Sequence, residues 1–286
     1  MENFDMCTIN RLASYVYGLT FIVLALPGIC LATDTINING SGSALDMMKP
    51  MIAAYQKSNK NVHINMDKPL GSSGAVKALL AGALDIVLSS KPLKPEEIAK
   101  GAQLQVYGKT PLVIITEKHV RKANITTAEL EDIYFGKTYT WAGGETIRLV
   151  MRPSEDVDSK IIGTLSPGMT TAIRAAQTRP GMLVAVTDPE AYTAISKTPG
   201  AIGATGLTSI ITEKLAVASL ALNGVIASTQ ALAKGSYPLS KEISIVTTPK
   251  TSPATQKLIN FMLSSQGRSI ADKAGLLVTI GQTTHK

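Results

Sequence analysis

Glycine and serine cluster at three points where helices are predicted to begin. The clusters are Gly40–Ser43, Gly71–Gly74 and the pair Ser89-Ser90. A helix start offers free backbone N–H groups and the positive end of the helix dipole, and serine adds a short hydroxyl donor. Each cluster alone is typical of ordinary helix capping. Three of them in one stretch of an α/β chain favour a site that binds a tetrahedral oxyanion.

The motifs of several enzyme classes are absent from the sequence. There is no G-x-S-x-G turn and no S-x-x-K motif, and Gly108-Lys109-Thr110 and Gly136-Lys137-Thr138 lack the first glycine of a phosphate loop. The two cysteines and three histidines have no metal-ligand spacing. We therefore expect a binding protein rather than an enzyme, with no cofactor and no metal.

The chain is basic, with a formal net charge of +7, but its lysines are scattered and aromatic residues make up only 5%. Nucleic-acid surfaces combine dense basic patches with stacking rings. We expect no nucleic-acid partner, and the positive charge would instead attract small anions.

The first 32 residues resemble a cleaved secretory signal peptide. Residues 12–32 contain no charged side chain and follow Arg11, and Cys30 and Ala32 suit a small-residue cleavage site. Cleavage after Ala32 would place the mature protein in the periplasm. The alternative is an uncleaved membrane anchor, because about 20 apolar residues can span a bilayer.

Strand-like and helix-like segments alternate along the rest of the chain. Apolar β-branched runs predict strands at 36–39, 62–66, 86–88, 112–116, 147–151, 183–187, 216–221 and 243–247. Thr126, Ser166, Asp188 and Ser252 are predicted helix N-caps, and Pro50 is expected to kink or restart a helix. This alternation predicts an α/β fold with a mostly parallel sheet. Two lobes would suit the length, with chain crossings near Gln103–Pro111 and Tyr237–Val246.

The order of motifs resembles the periplasmic phosphate-binding proteins of ABC importers, a branch of the type 2 periplasmic-binding fold. The matching segments follow one another along the chain and are Gly42-Ser43, 54–57, 71–82, 85–93, 125–130, 133–137, Trp141, 150–152, 199–203, 223–225 and 235–239.

This resemblance implies two lobes, each a mostly parallel sheet flanked by helices, with the ligand cleft between them. The implied segments are the signal peptide 1–32, lobe 1 from 33 to 108, lobe 2 from 109 to 236, and a return to lobe 1 from 237 to 286. The protein would close over its ligand by hinge bending, act as a monomer, and deliver the ligand to an ABC permease.

The resemblance also implies site residues. Ser43, or Ser41 in a shifted alignment, matches a hydroxyl donor of the first helix, Ser72 matches the serine of the G-S-S-G turn, and Arg152 could bind two ligand oxygens with its planar fork. The full set of candidate ligand-binding residues is Ser41, Gly42, Ser43, Ser72, Ser73, Ser89, Ser90, Arg152, Ser154 and Ser159.

Two departures from the family pattern weaken phosphate as the ligand. Ser90 stands where the family has an aspartate that accepts the proton of hydrogen phosphate. After Arg152, the family's serine-glycine-threonine turn is replaced by a segment with Glu155, Asp156 and Asp158, which could oppose an anion, face solvent, cap a helix or hold Arg152. Ser154 or Ser159 could replace a lost donor.

The sequence therefore predicts an exported solute-binding protein that captures a tetrahedral oxyanion, with phosphate first, for an ABC importer. The alternatives are the same fold with another oxyanion or a small organic acid as ligand, or a membrane-anchored sensory or scaffold protein.

Overall fold

A computed structural model of the chain describes residues 33–279. The predicted signal peptide at 1–32 lies outside the described residues. Within 33–279, none of the helices combines the length and the apolar composition that crossing a bilayer requires.

The described residues form alternating strands and helices, as the hydrophobic pattern predicts. The strands are β1 Asp34–Gly40, β2 Val62–Met66, β3 Ile86–Ser89, β4 Gln103–Glu117, β5 Asn124–Ile125, β6 Arg148–Met151, β7 Leu183–Val184, β8 Ala201–Gly206, β9 Val217–Ser219, β10 Ala221–Leu222, β11 Ser240–Thr247 and β12 Leu277–Val278. The helices are α1 Gly42–Ser58, α2 Gly71–Leu80, α3 Pro95–Ala99, α4 Thr127–Phe135, α5 Val157–Gly163, α6 Pro167–Thr178, α7 Asp188–Lys197, α8 Leu207–Thr212, α9 Thr229–Ala233, α10 Pro253–Leu263 and α11 Ser265–Lys273. The α/β class is confirmed.

One mixed sheet connects most of the strands, in the order β2-β1-β3-β11-β4-β8-β6-β7. The strands at both ends of this order are parallel to their neighbours, whereas β11 and β4 in the middle run antiparallel to the strands beside them. The long strand β4 pairs with β11 through residues 103–111 and with β8 through residues 112–116. The two parallel ends are therefore joined through β4.

The described residues form four groups of buried apolar side chains, and the two largest lie along this sheet. The first core includes Ile36, Met48, Leu88, Tyr107, Ile243, Leu258 and Leu276. The second core includes Leu112, Leu130, Leu149, Met151, Ile202, Tyr237 and Leu239. Both β4 and the segment that leads into β11 pass from one core to the other.

Polar residues at the helix starts act as caps because they accept the otherwise unpaired N–H groups of the first turn. Thr126 accepts the N–H of Glu129, Ser166 that of Met169 and Ser252 that of Thr255, which confirms these three predicted caps. The restart expected at Pro50 is wrong, since α1 continues through this residue from Gly42 to Ser58.

The predicted cap at Asp188 is wrong. The cap of α7 is Thr187, whose side chain accepts the N–H of Glu190, and Asp188 is the first helical residue. Because Thr187 satisfies the helix start, the carboxylate of Asp188 is free to bind groups elsewhere in the fold.

Candidate functional site

A cavity of about 330 Å³ lies where α1, α2 and the segments before α5 and α7 meet, and we call it the cleft cavity. Its walls are formed by Ser41, Gly42, Pro69, Leu70, Gly71, Ser72, Ser73, Gly74, Lys91, Arg152, Asp156, Val157, Val186, Thr187, Asp188 and Lys241. The starts of α1 and α2 follow β1 and β2, so these two parallel strands direct both helix N-termini toward one end of the sheet.

Three predicted serines form a hydrogen-bonded chain beside the cavity. The hydroxyls of Ser41 and Ser90 are 2.7 Å apart, and the Ser72 hydroxyl accepts the N–H of Ser90 at 2.9 Å. All three residues are buried. Ser90, at the position of the family aspartate, therefore contributes a hydroxyl that is engaged with Ser41, and no carboxylate stands at this point.

The N-terminus of α1 is occupied by a carboxylate from a distant part of the chain. Asp188 accepts the Gly42 N–H at 3.1 Å through Oδ2 and the Ser43 hydroxyl at 2.7 Å through Oδ1. These are donors that the sequence assigned to the ligand. Asp188 thus stands as an internal anion at a helix start, where the dipole and the free N–H groups favour negative charge.

A buried lysine holds this carboxylate in place. Lys241 on β11 is only 1% exposed, and its Nζ lies 2.7 Å from Asp188 Oδ1 and 2.8 Å from Asp158 Oδ1. Burial alone would raise the pKa of Asp188, but Lys241, Arg152 and the hydrogen bonds outweigh it and hold that pKa below its usual value. Burial likewise opposes the charge of Lys241, and the two aspartates overcome this and raise its pKa.

Asp158 behaves differently from Asp188 although both contact Lys241. Its carboxylate is 1% exposed and has no hydrogen bond of good geometry among the described residues. Burial therefore dominates, and it raises the pKa of Asp158 to about 6 against the opposing charge of Lys241. Asp158 is therefore harder to ionise than Asp188.

Arg152 lines the cleft cavity and carries buried donors that lack partners. Its side chain is 8% exposed and its Nη2 donates to Asp156 Oδ2 at 2.9 Å, while Nε and Nη1 have no hydrogen-bond partner within residues 33–279. A buried donor without a partner costs about 1–3 kcal/mol, and more on a charged group. An acceptor for these donors is therefore missing among the described residues.

The three acidic residues after Arg152 have three different roles. Glu155 is exposed and pairs with Lys160 at 2.8 Å. Asp156 caps α5 by accepting the N–H of Asp158, and it also binds Arg152. Asp158 lies in the interior with Lys241. The sequence left solvent exposure, helix capping and support of Arg152 open, and the structure contains all three arrangements.

The predicted residues do not all reach the cleft cavity. Its walls include Ser41, Gly42, Ser72, Ser73 and Arg152, while Ser43 and Ser90 are buried behind them. The Ser89 hydroxyl donates to the Lys91 carbonyl within a turn, and the Ser159 hydroxyl donates to the Arg152 carbonyl. Ser154 is exposed and shares a different surface hollow with Ser159. These last three do not line the cavity.

Sequence reasoning missed two residues at the centre of the site. Asp188 was taken for a helix cap, and Lys241 lies two residues before the predicted strand 243–247. Asp188 follows Ser43 by 145 residues and Lys241 follows Asp188 by 53, so no local spacing could have linked them. A lysine in the predicted chain crossing 237–246 was the one available signal, because a lysine that becomes buried requires a partner of opposite charge.

The cleft cavity presents donors and acceptors together. Lys91, Arg152 and Lys241 supply positive charge, and Asp156 and Asp188 supply negative charge. Lys91 also donates to the backbone carbonyl of Glu155 at 2.9 Å, and so connects the turn after β3 to the segment that follows Arg152. An anion that also carries a hydrogen-bond donor would match this arrangement better than one without a proton.

Comparison with known proteins gives concordant results. A family model described as "PBP superfamily domain" matches residues 31–266. The phosphate-binding protein PstS of Borreliella burgdorferi is 29% identical over 251 residues, which cover 85% of this chain and 89% of that protein.

Two solved structures share the fold. A chain from Clostridium perfringens, described as a phosphate ABC transporter substrate-binding protein with bound phosphate, has a TM-score of 0.73 at 21% identity and covers 86% of this chain and 100% of its own. An ABC-type phosphate transport receptor from Vibrio cholerae has a TM-score of 0.59 at 19% identity, with coverage of 86% and 100%. These similarities confirm the predicted periplasmic-binding fold.

Proposed function

The chain belongs to the PBP superfamily domain family, and on that premise we propose that it is a solute-binding receptor that captures phosphate in the cleft cavity for an ABC importer. The relative from Borreliella burgdorferi and the chain from Clostridium perfringens, both described as phosphate proteins, support this choice of ligand.

The observation that carries the proposal is the buried guanidinium of Arg152. Its Nε and Nη1 groups lack partners among the described residues, and the cavity that Arg152 lines also includes Gly71 to Gly74 at the start of the 10-residue helix α2. The planar guanidinium carries five N–H donors, and those that lack partners can pair with oxygens of a tetrahedral oxyanion. Bound phosphate would pair these donors and accept further N–H groups from α2.

The carboxylates of the cavity support phosphate over fully ionised anions. Asp156 and Asp188 are acceptors, and hydrogen phosphate can donate its proton to one of them. Sulfate has no proton to donate near neutral pH, so its oxygens would meet these carboxylates as repelling charges. In this proposal Asp188 or Asp156 accepts the proton of hydrogen phosphate, which is the role of the family's aspartate at the position of Ser90.

We propose hinge closure between a lobe of residues 33–108 with 237–286 and a lobe of residues 109–236. The two cores and the passage of β4 between them support these boundaries. Asp188 on α7 binds the start of α1, and Lys91 binds the segment before α5, so both contacts would connect the two lobes. Ligand bound to α2 and Arg152 would add to them.

The proposal also covers the setting of the protein. It is a monomer without catalytic activity, it is exported to the periplasm after cleavage at Ala32, and it delivers its ligand to a membrane permease. Mass spectrometry of the exported protein tests cleavage, since retention of residues 1–32 would favour the alternative of an anchored sensory or scaffold protein.

Calorimetric titration with phosphate, sulfate and molybdate tests the ligand. We expect phosphate to bind, and Arg152→Ala to weaken binding a hundredfold or more, because each charged hydrogen bond contributes about 1.5–3 kcal/mol. Arg152→Lys keeps the charge and loses the fork, and it should recover only part of the affinity.

The matched control is Arg148→Ala, which removes an exposed arginine at the start of β6, the strand that ends directly before Arg152, and Arg148 is not part of the cleft cavity. It should leave the titration unchanged. If Arg152→Ala binds phosphate as tightly as the unmodified protein does, the assignment of the oxyanion to the cleft cavity is wrong. No heat with any of the three anions would contradict the proposed function itself.

A further inference from the structure

The walls of the cleft cavity change from charged to apolar between its interior and its opening. Arg152, Asp188 and Lys241 are 8%, 3% and 1% exposed. Leu70 and Val186 line the same cavity but are 56% and 66% exposed. The charged groups therefore lie deep, and two large apolar side chains stand at the opening.

Both apolar residues have anchored backbones. The Leu70 N–H donates to Asn39 Oδ1 at 2.8 Å, and the Val186 N–H donates to Glu190 Oε2 at 2.8 Å. Each side chain is therefore presented from a hydrogen-bonded turn at a helix start. Positions that are fixed in advance lose little conformational entropy when a ligand contacts them.

The cleft cavity is larger than an inorganic oxyanion requires. Its volume is about 330 Å³. Phosphate has five heavy atoms and takes the place of roughly three or four water molecules, or about 100 Å³ at about 30 Å³ per water. Once the oxyanion is bound to Arg152, more than half of the cavity remains, and this remainder includes the apolar opening.

We propose that the cleft cavity accepts a phosphorus oxyanion with a short alkyl substituent, whose head group binds Arg152 and whose substituent packs against Leu70 and Val186. This rests on the proposed function, because it places the oxyanion at the same donors. The ligand class is an alkylphosphonate or an alkyl phosphate monoester, which share the anionic head and the apolar tail.

Calorimetry with phosphate and with methyl-, ethyl- and propylphosphonate tests the inference. Full burial of a methylene contributes about 0.8 kcal/mol, which corresponds to fourfold in affinity, and half burial to twofold. We expect affinity to rise two- to fourfold with each added methylene. The alkyl phosphate monoesters of the same lengths should give the same increments.

Leu70→Ser and Val186→Ser test whether these side chains cause the increments. Both residues are largely exposed, so the variants should fold, and the increments should fall toward onefold. Ile226→Ser is the matched control, because Ile226 is 75% exposed and lies outside the cleft cavity. It should keep the increments of the unmodified protein.

The outcomes distinguish a failure of this inference from a failure of the proposed function. Phosphate binding with no gain from longer substituents overturns the inference and leaves the proposed function intact, as does a gain that persists in both serine variants. Binding of alkylphosphonates without phosphate supports the inference and replaces phosphate as the ligand. No binding of any of these compounds overturns both.

Discussion

Replacing Asp188 tests the central feature of the site, a carboxylate that both stabilises the fold and faces the ligand. In Asp188→Ala, the Ser43 hydroxyl and the Gly42 N–H lose their acceptor, and Asp158 remains as the one carboxylate paired with Lys241 among the described residues. Breaking a buried ion pair from one side costs about 3–5 kcal/mol. At about 2–4 °C per kcal/mol for a domain of this size, the melting temperature should fall by about 6–20 °C.

Asp188→Asn separates the charge from the shape. The amide oxygen can still accept one of the three hydrogen bonds, so the loss of stability should be smaller than in the alanine variant. A unit charge about 4 Å away contributes up to about 4 kcal/mol at an effective dielectric constant of 20. Removal of this charge should therefore raise the affinity for sulfate relative to phosphate by tenfold to a thousandfold.

Scanning calorimetry gives the melting temperatures, and titrations with phosphate and sulfate give the ratio of affinities. Asp272→Asn is a control for loss of a negative charge, because Asp272 is exposed on α11. If Asp188→Asn changes neither the melting temperature nor the affinity ratio, Asp188 neither stabilises the fold nor faces the ligand, which refutes both proposed roles.

Two further predictions concern stability. Burial raises the pKa of Asp158 to about 6, above its usual value of 3.8, so the protonated carboxyl stabilises the fold fully below about pH 4, and this contribution is lost as pH rises to about 6. Urea unfolding should show the free energy of unfolding falling across this window more steeply than in Asp158→Asn. Equal slopes in the two proteins would contradict the assignment. A Cβ at Gly40 would overlap the Leu88 carbonyl of the neighbouring strand, so Gly40→Ala should destabilise the protein by about 1–3 kcal/mol in the same assay. Gly74→Ala, whose Cβ would meet only the side chain of Leu70 at 3.3 Å, should be close to neutral, and equal losses in both variants would contradict this explanation.

The periodic and capping signals of the sequence were sufficient for most of the fold. The predicted strand at 62–66 matches β2, and the capping box at Thr126 begins α4. These features depend on residues within a few positions of one another, and the same local physics acts before and after the chain folds. The direction of the central strands was less accessible, because antiparallel pairing of β4 with β11 joins segments more than 120 residues apart.

By itself, the sequence determined the α/β class, the starts of α1 and α2 rich in glycine and serine, and the presence of an arginine after a buried strand. The third predicted helix start, at Ser89-Ser90, is wrong, because Ser89 ends β3 and the next helix begins at Pro95. Only the tertiary structure decided what these groups meet. The fold places Asp188 of α7 against the start of α1 and Lys241 between two aspartates. It also places the Ser90 hydroxyl against Ser41, outside the walls of the cleft cavity. The reason is that a buried charge is compensated by whichever opposite charge the fold brings near it, and spacing along the chain does not encode that neighbour.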